Sequence, residues 1–232
     1  MQEIRDNIMS ILGNIKDVCM RTGRDPDSVT LIAVTKTIDP DRINYALECG
    51  IRNIGENKVQ ELTAKYASVE KNVKWHLIGH LQTNKVKYII DKVGLVHSVD
   101  SINLAREIDK RAENAGLVKD ILVQVNVAQE ETKYGIEYEE IDSFVEQLSM
   151  LRNISVKGLM TIAPYYEDME MVRPVFRMLK EKYDMLAGAN IPNVEMRHLS
   201  MGMTNDYEAA IEEGSNMIRI GTGIFGARSY NI

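Results

Sequence analysis

Apolar side chains recur at Ile4, Ile8, Ile11, Leu12, Ile15 and Val18, the three-and-four spacing of one helix face, which predicts a helix over residues 3–19. The pattern then changes. After the turn-rich stretch TGRDPDS comes a β-branched run from Val29 to Thr35, too short for a helix and rich in strand formers. From there short apolar runs recur near residues 30–35, 52–54, 74–78, 94–98, 121–127, 154–160, 194–199 and 216–220. Helical patterns lie between them, such as Ile43, Ala46 and Leu47, or Leu104, Ile108 and Ala112. Asp39 followed by Pro40 predicts a helix start with proline in the first turn. Ser101 and Asp206 also suit helix entries.

Eight strand candidates alternating with helices predict an α/β fold, a (β/α)8 TIM barrel with an extra N-terminal helix. The competing architecture is an open doubly wound sheet. That fold usually carries a glycine-rich phosphate turn after its first strand, whereas here the strand runs into VTKTIDP, without glycine. No linker, low-complexity segment or short repeat breaks the pattern, so residues 1–232 are expected to form one domain, a common size for such barrels. Hydrophobic residues make up 44% and charged residues 27%, a globular balance that can bury a large core without staples.

The net charge of −6 argues against nucleic acid or an anionic membrane surface as partner. A small anionic ligand remains open, because a local site can oppose the global sign. Cys19 and Cys49 are too few for a disulfide framework and lack metal-ligand spacing. MQEIRDNIMS has no signal-peptide core, and no apolar run approaches membrane-spanning length, so a reducing cytoplasm is the expected compartment.

In such barrels the chemistry sits at the C-terminal ends of the strands, with phosphate often held by the loops after strands 7 and 8. Lys36 ends the first strand. A lysine there is either partly desolvated, which favours the neutral amine that forms Schiff bases, or it lifts its head into solvent. The loop after strand 7 reads LSMGMTNDYEAAI (199–211), in which Ser200 supplies a hydroxyl, Gly202 admits close backbone approach and a helix starts downstream. The loop after strand 8 is RIGTGIFGAR (219–228), with Gly221, Thr222 and Gly223 able to form an amide nest. Two such loops at the two expected places point to phosphate. Arg219 alternates with Ile218 and Ile220 within strand 8; inside a barrel it needs an acceptor, either a carboxylate or the ring nitrogen of a cofactor.

His76 and His198 fall in predicted strands, where hydrogen-bonded core roles are favoured over catalysis. His80 follows strand 3 and His97 ends strand 4. No helical HxxxH pair is present, so a metal centre is unsupported. The 13 methionines read mostly as core filler, with Met201 and Met203 in the strand-7 loop able to pack on a ligand ring. Glu137, Glu139 and Glu140 read as a solvated helix face. There is neither a GxSxG elbow nor a Walker loop.

Together LIAVTKT, NIGENKVQE (53–61), WHLIGHLQTNK (75–85), KYGI (133–136), KGLMTIAP (157–164), LSMGMTNDYEAAI and NMIRIGTGIFGAR (216–228) resemble the pyridoxal phosphate homeostasis protein family. The match is collinear from about residue 30 to 228. That family is a single-domain barrel similar to the N-terminal barrel of alanine racemase and other fold-type III enzymes of pyridoxal 5′-phosphate (PLP). The resemblance implies that Lys36 forms the internal aldimine, that Ser200, Gly221 and Thr222 hold the phosphate, and that Arg219 faces the pyridine nitrogen. It also implies that Asn57 and Met201 lie beside the cofactor ring, and Lys133 matches a family lysine. Thr35, Thr83 and Thr204 stand where serine is frequent, a change that keeps the hydroxyl.

An arginine at the ring nitrogen disfavours protonating it, since two positive charges would face each other, and an unprotonated pyridine is a weaker electron sink. Racemisation also needs a second base opposite the lysine. Alanine racemases take theirs from a C-terminal β domain, and this chain stops after its eighth strand. The leading expectation is therefore a PLP carrier or buffer that hands the cofactor to apoenzymes and has little or no catalysis of its own, with a monomer as the expected state. The alternatives are a PLP-dependent amino-acid racemase using Lys36 with His76 or His198, and a barrel enzyme acting on a phosphorylated metabolite without PLP.

Overall fold

The computed structural model describes residues 1–130 and 133–227; Arg228, which closes the last motif, lies outside them, as do residues 229–232. Eight parallel strands close into a barrel in simple sequential order. They are β1 (Thr30–Val34), β2 (Asn53–Glu56), β3 (Lys74–Leu77), β4 (Leu95–Val99), β5 (Lys119–Gln124), β6 (Ile154–Met160), β7 (Val194–Ser200) and β8 (Met217–Ile220). The helices are α1 (Gln2–Thr22), α2 (Pro40–Glu48), α3 (Val59–Lys65), α4 (Ile102–Asn114), α5 (Ile141–Ser149), α6 (Arg173–Gly188), α7 (Tyr207–Glu212) and α8 (Thr222–Phe225). All eight expected strands are present, and the fold is the expected TIM barrel with an added N-terminal helix.

Local chemistry starts the helices where the sequence places them. The Asp39 side chain accepts from Arg42 N–H at 3.0 Å with Pro40 in the first turn, and Ser101 accepts from Leu104 N–H at 3.3 Å. Asp206 differs: it precedes α7 but gives it no side-chain cap, and instead accepts from Met203 N–H at 2.5 Å. Between β3 and β4 the connecting element is a 3-10 helix, Thr83–Tyr88, and no α-helix. The fifth strand ends earlier than its apolar run, because Val125 bridges Ile136 and the Asn126 amide ties the following turn to Glu130.

The core has two shells. Ile32, Leu95, Leu122, Met160 and Met217 fill part of the barrel lumen, and a much larger cluster lies between strands and helices. Helix α1 lays Ile4, Ile8, Ile11, Ile15 and Val18 against the barrel beside α7 and α8, fixed by Asn14 to the Tyr207 hydroxyl (2.9 Å) and Asn7 to Ile224 O (3.0 Å). Leu12 sits on the flank of that stripe and is exposed. Gly158 lets β6 and β7 close on each other: at φ 148° a Cβ there would lie 1.8 Å from the His198 carbonyl oxygen.

Candidate functional site

A cleft of about 250 Å³ opens at the C-terminal ends of β1, β6, β7 and β8. Lys36, Arg219, Gly221 and Thr222 line it, joined by Thr204 and Asp206. Val34 and the loop after β6, including Tyr165 and Tyr166, supply the apolar wall.

Lys36 is half-buried and is held from both sides in the chain. Thr37, directly after it, takes a left-handed conformation (φ 66°), strained for a β-branched residue. A buried ion cluster behind the strand end maintains this turn. Lys65 Nζ donates to Thr35 O (2.8 Å), Glu56 Oε1 (2.9 Å) and Glu61 Oε1 (2.6 Å), and Glu61 accepts from Thr37 N–H. Thr35 donates to the same Glu56 oxygen at 2.7 Å. Burial raises the Glu56 pKa above the usual carboxylate range, against the opposing pull of Lys65.

Arg219 projects into the lumen just under the cleft. Its Nη1 donates to Ser200 Oγ at 2.5 Å and its Nη2 to Thr161 O at 2.8 Å. Neither acceptor is a carboxylate. Burial lowers the guanidinium pKa to about 10, with Asp206 pulling it back up, so Arg219 is charged at neutral pH. Asp206 is itself buried, which raises its pKa, while the Met203 N–H bond opposes that rise.

The loops after β7 and β8 meet through hydroxyls. Thr222 Oγ1 donates to Thr204 Oγ1 at 3.3 Å, and Gly223 N–H approaches the same oxygen at 3.4 Å. Gly223 is needed for this approach, since a Cβ would lie 2.9 Å from an Ile220 methyl and 3.1 Å from that of Thr204. Chemically the cleft combines an amine, a buried cation and paired hydroxyls, a set suited to a small phosphorylated carbonyl compound.

The model of the family described as alanine racemase, N-terminal domain, matches residues 9–229. The pyridoxal phosphate homeostasis protein of Aquifex aeolicus is 46% identical over 226 residues, covering 97% of this chain and 98% of its own. This chain belongs to the pyridoxal phosphate homeostasis protein family. Among solved structures, an unknown protein from Bifidobacterium adolescentis superposes with a TM-score of 0.91 at 37% identity, over 97% of this chain and 95% of that one. PipY of Synechococcus elongatus PCC7942, solved with PLP bound, gives 0.83 at 32% identity, over 96% of this chain and the whole of that one.

In this family member the expected site residues divide into two groups. Lys36, Arg219, Gly221 and Thr222 come together at the cleft. Ser200 does not line it: its hydroxyl is fully buried in the lumen between Arg219 and His97. Met201 is likewise buried in the core. Asn57 stands just past β2, where its Oδ1 is buried without a hydrogen-bond partner among the described residues. Lys133 pairs with Glu130 at 2.8 Å, and Glu137 and Glu140 form a reciprocal capping box ahead of α5. Thr204, Asp206 and the Lys65 cluster were not singled out as site residues from sequence. For Thr204 a signal existed, a hydroxyl two residues past Gly202 in the strand-7 loop. For Lys65 none did, because a lysine ending a polar helix looks solvated. Among the described residues no cluster could hold a metal ion, and no helix is long and apolar enough to cross a membrane.

Proposed function

We propose that this chain binds PLP as a Schiff base on Lys36, formed by amine and aldehyde with loss of one water, and holds the cofactor for delivery to PLP-dependent apoenzymes. The single observation that carries the reading is the convergence of Lys36, Arg219 and the Thr204–Thr222 hydroxyl pair on one cleft, in a chain whose PipY relative was solved with PLP bound. The residues present fit the group. Lys36 supplies the amine, Thr204, Thr222 and Gly221 lie where a phosphate can be held, and Arg219 offers a charged donor to the ring nitrogen. The buried Asn57 Oδ1, without a partner among the described residues, is an acceptor just past the neighbouring strand. Thr204 takes the phosphate role that the sequence resemblance gave to Ser200, and Met201 supports the loop from beneath. When bound, PLP supplies an electron-withdrawing ring, whose strength Arg219 limits by disfavouring its protonation.

The same reading takes residues 1–232 as one PLP-binding domain, acting as a cytoplasmic monomer with no nucleic-acid or membrane partner. The racemase alternative has weaker support. It needs a second base at the cleft, yet His76 is buried in the lumen, where burial holds its pKa down to about 3. His198, half-buried on β7, does not line the cleft either. To test the carrier reading, PLP-loaded protein is mixed with an apo-transaminase, and incubated separately with L-amino acids in deuterated water. Recovered transaminase activity is expected, with α-deuteration no faster than with free PLP. Sustained deuteration or stereoinversion would instead establish a racemase.

The phosphate assignment has its own test. Thr204→Val with Thr222→Val is expected to weaken PLP binding roughly a hundredfold or more, at about 1.5–3 kcal/mol per lost bond to a charged group. Binding of pyridoxal, which lacks the phosphate, should change little. Equal losses for the two ligands would place the phosphate elsewhere.

A further inference from the structure

Behind Arg219 the barrel lumen contains a line of polar side chains, Ser200, His97, His76 and Asn53, that the PLP reading does not use. Arg219 Nη1 donates to Ser200 Oγ at 2.5 Å; Ser200 Oγ lies 3.2 Å from His97 Nδ1; His97 Nε2 lies 3.0 Å from His76 Nδ1; and His76 Nε2 lies 3.2 Å from Asn53 Oδ1. Ser200 and His97 are fully buried, His76 and Arg219 nearly so. The protons on this line can be placed one by one. A guanidinium only donates, so it takes a lone pair of Ser200 and leaves the serine O–H to find another acceptor. His97 Nδ1 is that acceptor and is therefore bare, which puts the His97 proton on Nε2. That proton points at His76 Nδ1, so the His76 proton is also on Nε2, where Asn53 Oδ1 accepts it. Every donor on the line then has an acceptor and both imidazoles are neutral. The opposite polarity leaves the buried Ser200 proton unplaced and turns His76 Nε2, as an acceptor, against the Asn53 oxygen. An unmade buried hydrogen bond is costly, which decides between the two.

We propose that Asn53, His76, His97 and Ser200 form a one-way hydrogen-bond relay that positions Arg219, with both histidines neutral and protonated on Nε2. The relay makes Ser200 a better acceptor, because donating its own proton to His97 enriches the oxygen facing Arg219. Together with Thr161 O, it pins the guanidinium by neutral acceptors alone. No carboxylate on the line takes up the positive charge, and Asp206, which lines the same cleft, acts on it through space. Whatever enters the cleft therefore meets a fixed cation. Burial, more than any neighbour, keeps both imidazoles from charging, and His198, Lys74 and Arg219 are the surrounding groups whose fields push the same way.

That the fixed cation faces a cofactor ring rests on the PLP reading, whereas the proton pattern does not. The ligand-free protein, labelled with 15N histidine and arginine, decides the latter by two-bond 15N–1H spectra from about pH 5 to about pH 8. Both residues are expected as neutral Nε2–H tautomers across the range, with slowly exchanging Arg219 Nη protons. Nδ1–H on either ring, or an imidazolium at about pH 6, overturns the relay. His97→Leu is expected to speed Arg219 Nη exchange at least tenfold, and His97→Gln, whose amide can accept from Ser200 and donate to His76, to restore slow exchange. Should His97→Leu fail to fold, the wild-type tautomers and the glutamine variant still decide. Unchanged exchange in a folded His97→Leu protein removes the positioning role. With PLP added, His97→Leu should shift the visible absorption of the bound cofactor while His97→Gln leaves it near wild type. Wild-type protein that shows the tautomers but binds no PLP keeps the relay and refutes the cofactor reading.

Discussion

Lys36→Ala is expected to abolish covalent retention of PLP while leaving the barrel folded. The wild-type protein loaded with PLP and reduced with borohydride should carry one pyridoxyl-modified lysine, in the peptide containing Lys36, and the variant none. The whole covalent signal disappears because a Schiff base requires a primary amine at the cleft, and Lys36 is the lysine lining it. Folding should survive because the side chain is half-buried at a strand end and the turn around it is fixed by other groups, namely Glu61 and Lys65. A stability change within about 1 kcal/mol is the expectation for such a position. Non-covalent PLP binding through the hydroxyl pair and Arg219 should persist at reduced affinity. A reducible lysine adduct retained by the variant would move the assignment to another lysine, with Lys133 the next candidate.

Lys65→Met should destabilise the fold by about 3–5 kcal/mol, the usual cost of stranding a buried ion-pair partner. Glu56 is fully buried, one of its carboxylate oxygens already lacks a partner, and Lys65 is the only cation among its hydrogen-bond partners in the described residues. The sign of the pH dependence follows from Glu56. Burial raises its folded pKa above the unfolded value of about 4.3, and removing Lys65 raises it further. Below about pH 4.3 the carboxyl is protonated in both states and the deficit is small. It grows as pH rises through the folded pKa, where a bare carboxylate must be buried. Denaturant midpoints of both proteins at about pH 4 and about pH 7 measure this difference, and Glu56→Gln added to Lys65→Met should recover much of the loss at the higher pH. Because Lys65 also holds Thr35 O, the variant should in addition accept PLP less completely at Lys36 under conditions where it is still folded. A pH-independent deficit, or no deficit, would show that the cluster is not a buried charge pair in solution.

Periodicity, with the missing glycine-rich turn after the first strand, determined the architecture of this protein. A period of two or a short β-branched run repeated eight times, with helical spacing between, leaves a closed parallel barrel as the economical solution, and the Asp39–Pro40 and Ser101 caps were legible because capping is local chemistry within a few residues. Strand-end position likewise made Lys36, Arg219, Gly221 and Thr222 readable as a group, since in a barrel all strand ends face one mouth. Which way each loop side chain turns was not written in the chain. Ser200 and Thr204 are hydroxyls four residues apart, but alternation along β7 sends Ser200 into the lumen toward Arg219, whereas Thr204 lies past the strand, against Thr222. The partners of Arg219 and Lys65 come from strands and helices far apart in sequence, and neutral acceptors, a carboxylate or a ligand would satisfy such cations equally well on paper. Barrel closure brought Thr161, Ser200 and Arg219 within hydrogen-bond reach and carried His97 and His76 in line behind them. Only three-dimensional proximity fixes which donor meets which acceptor, and among buried groups that pairing decides where each proton can sit.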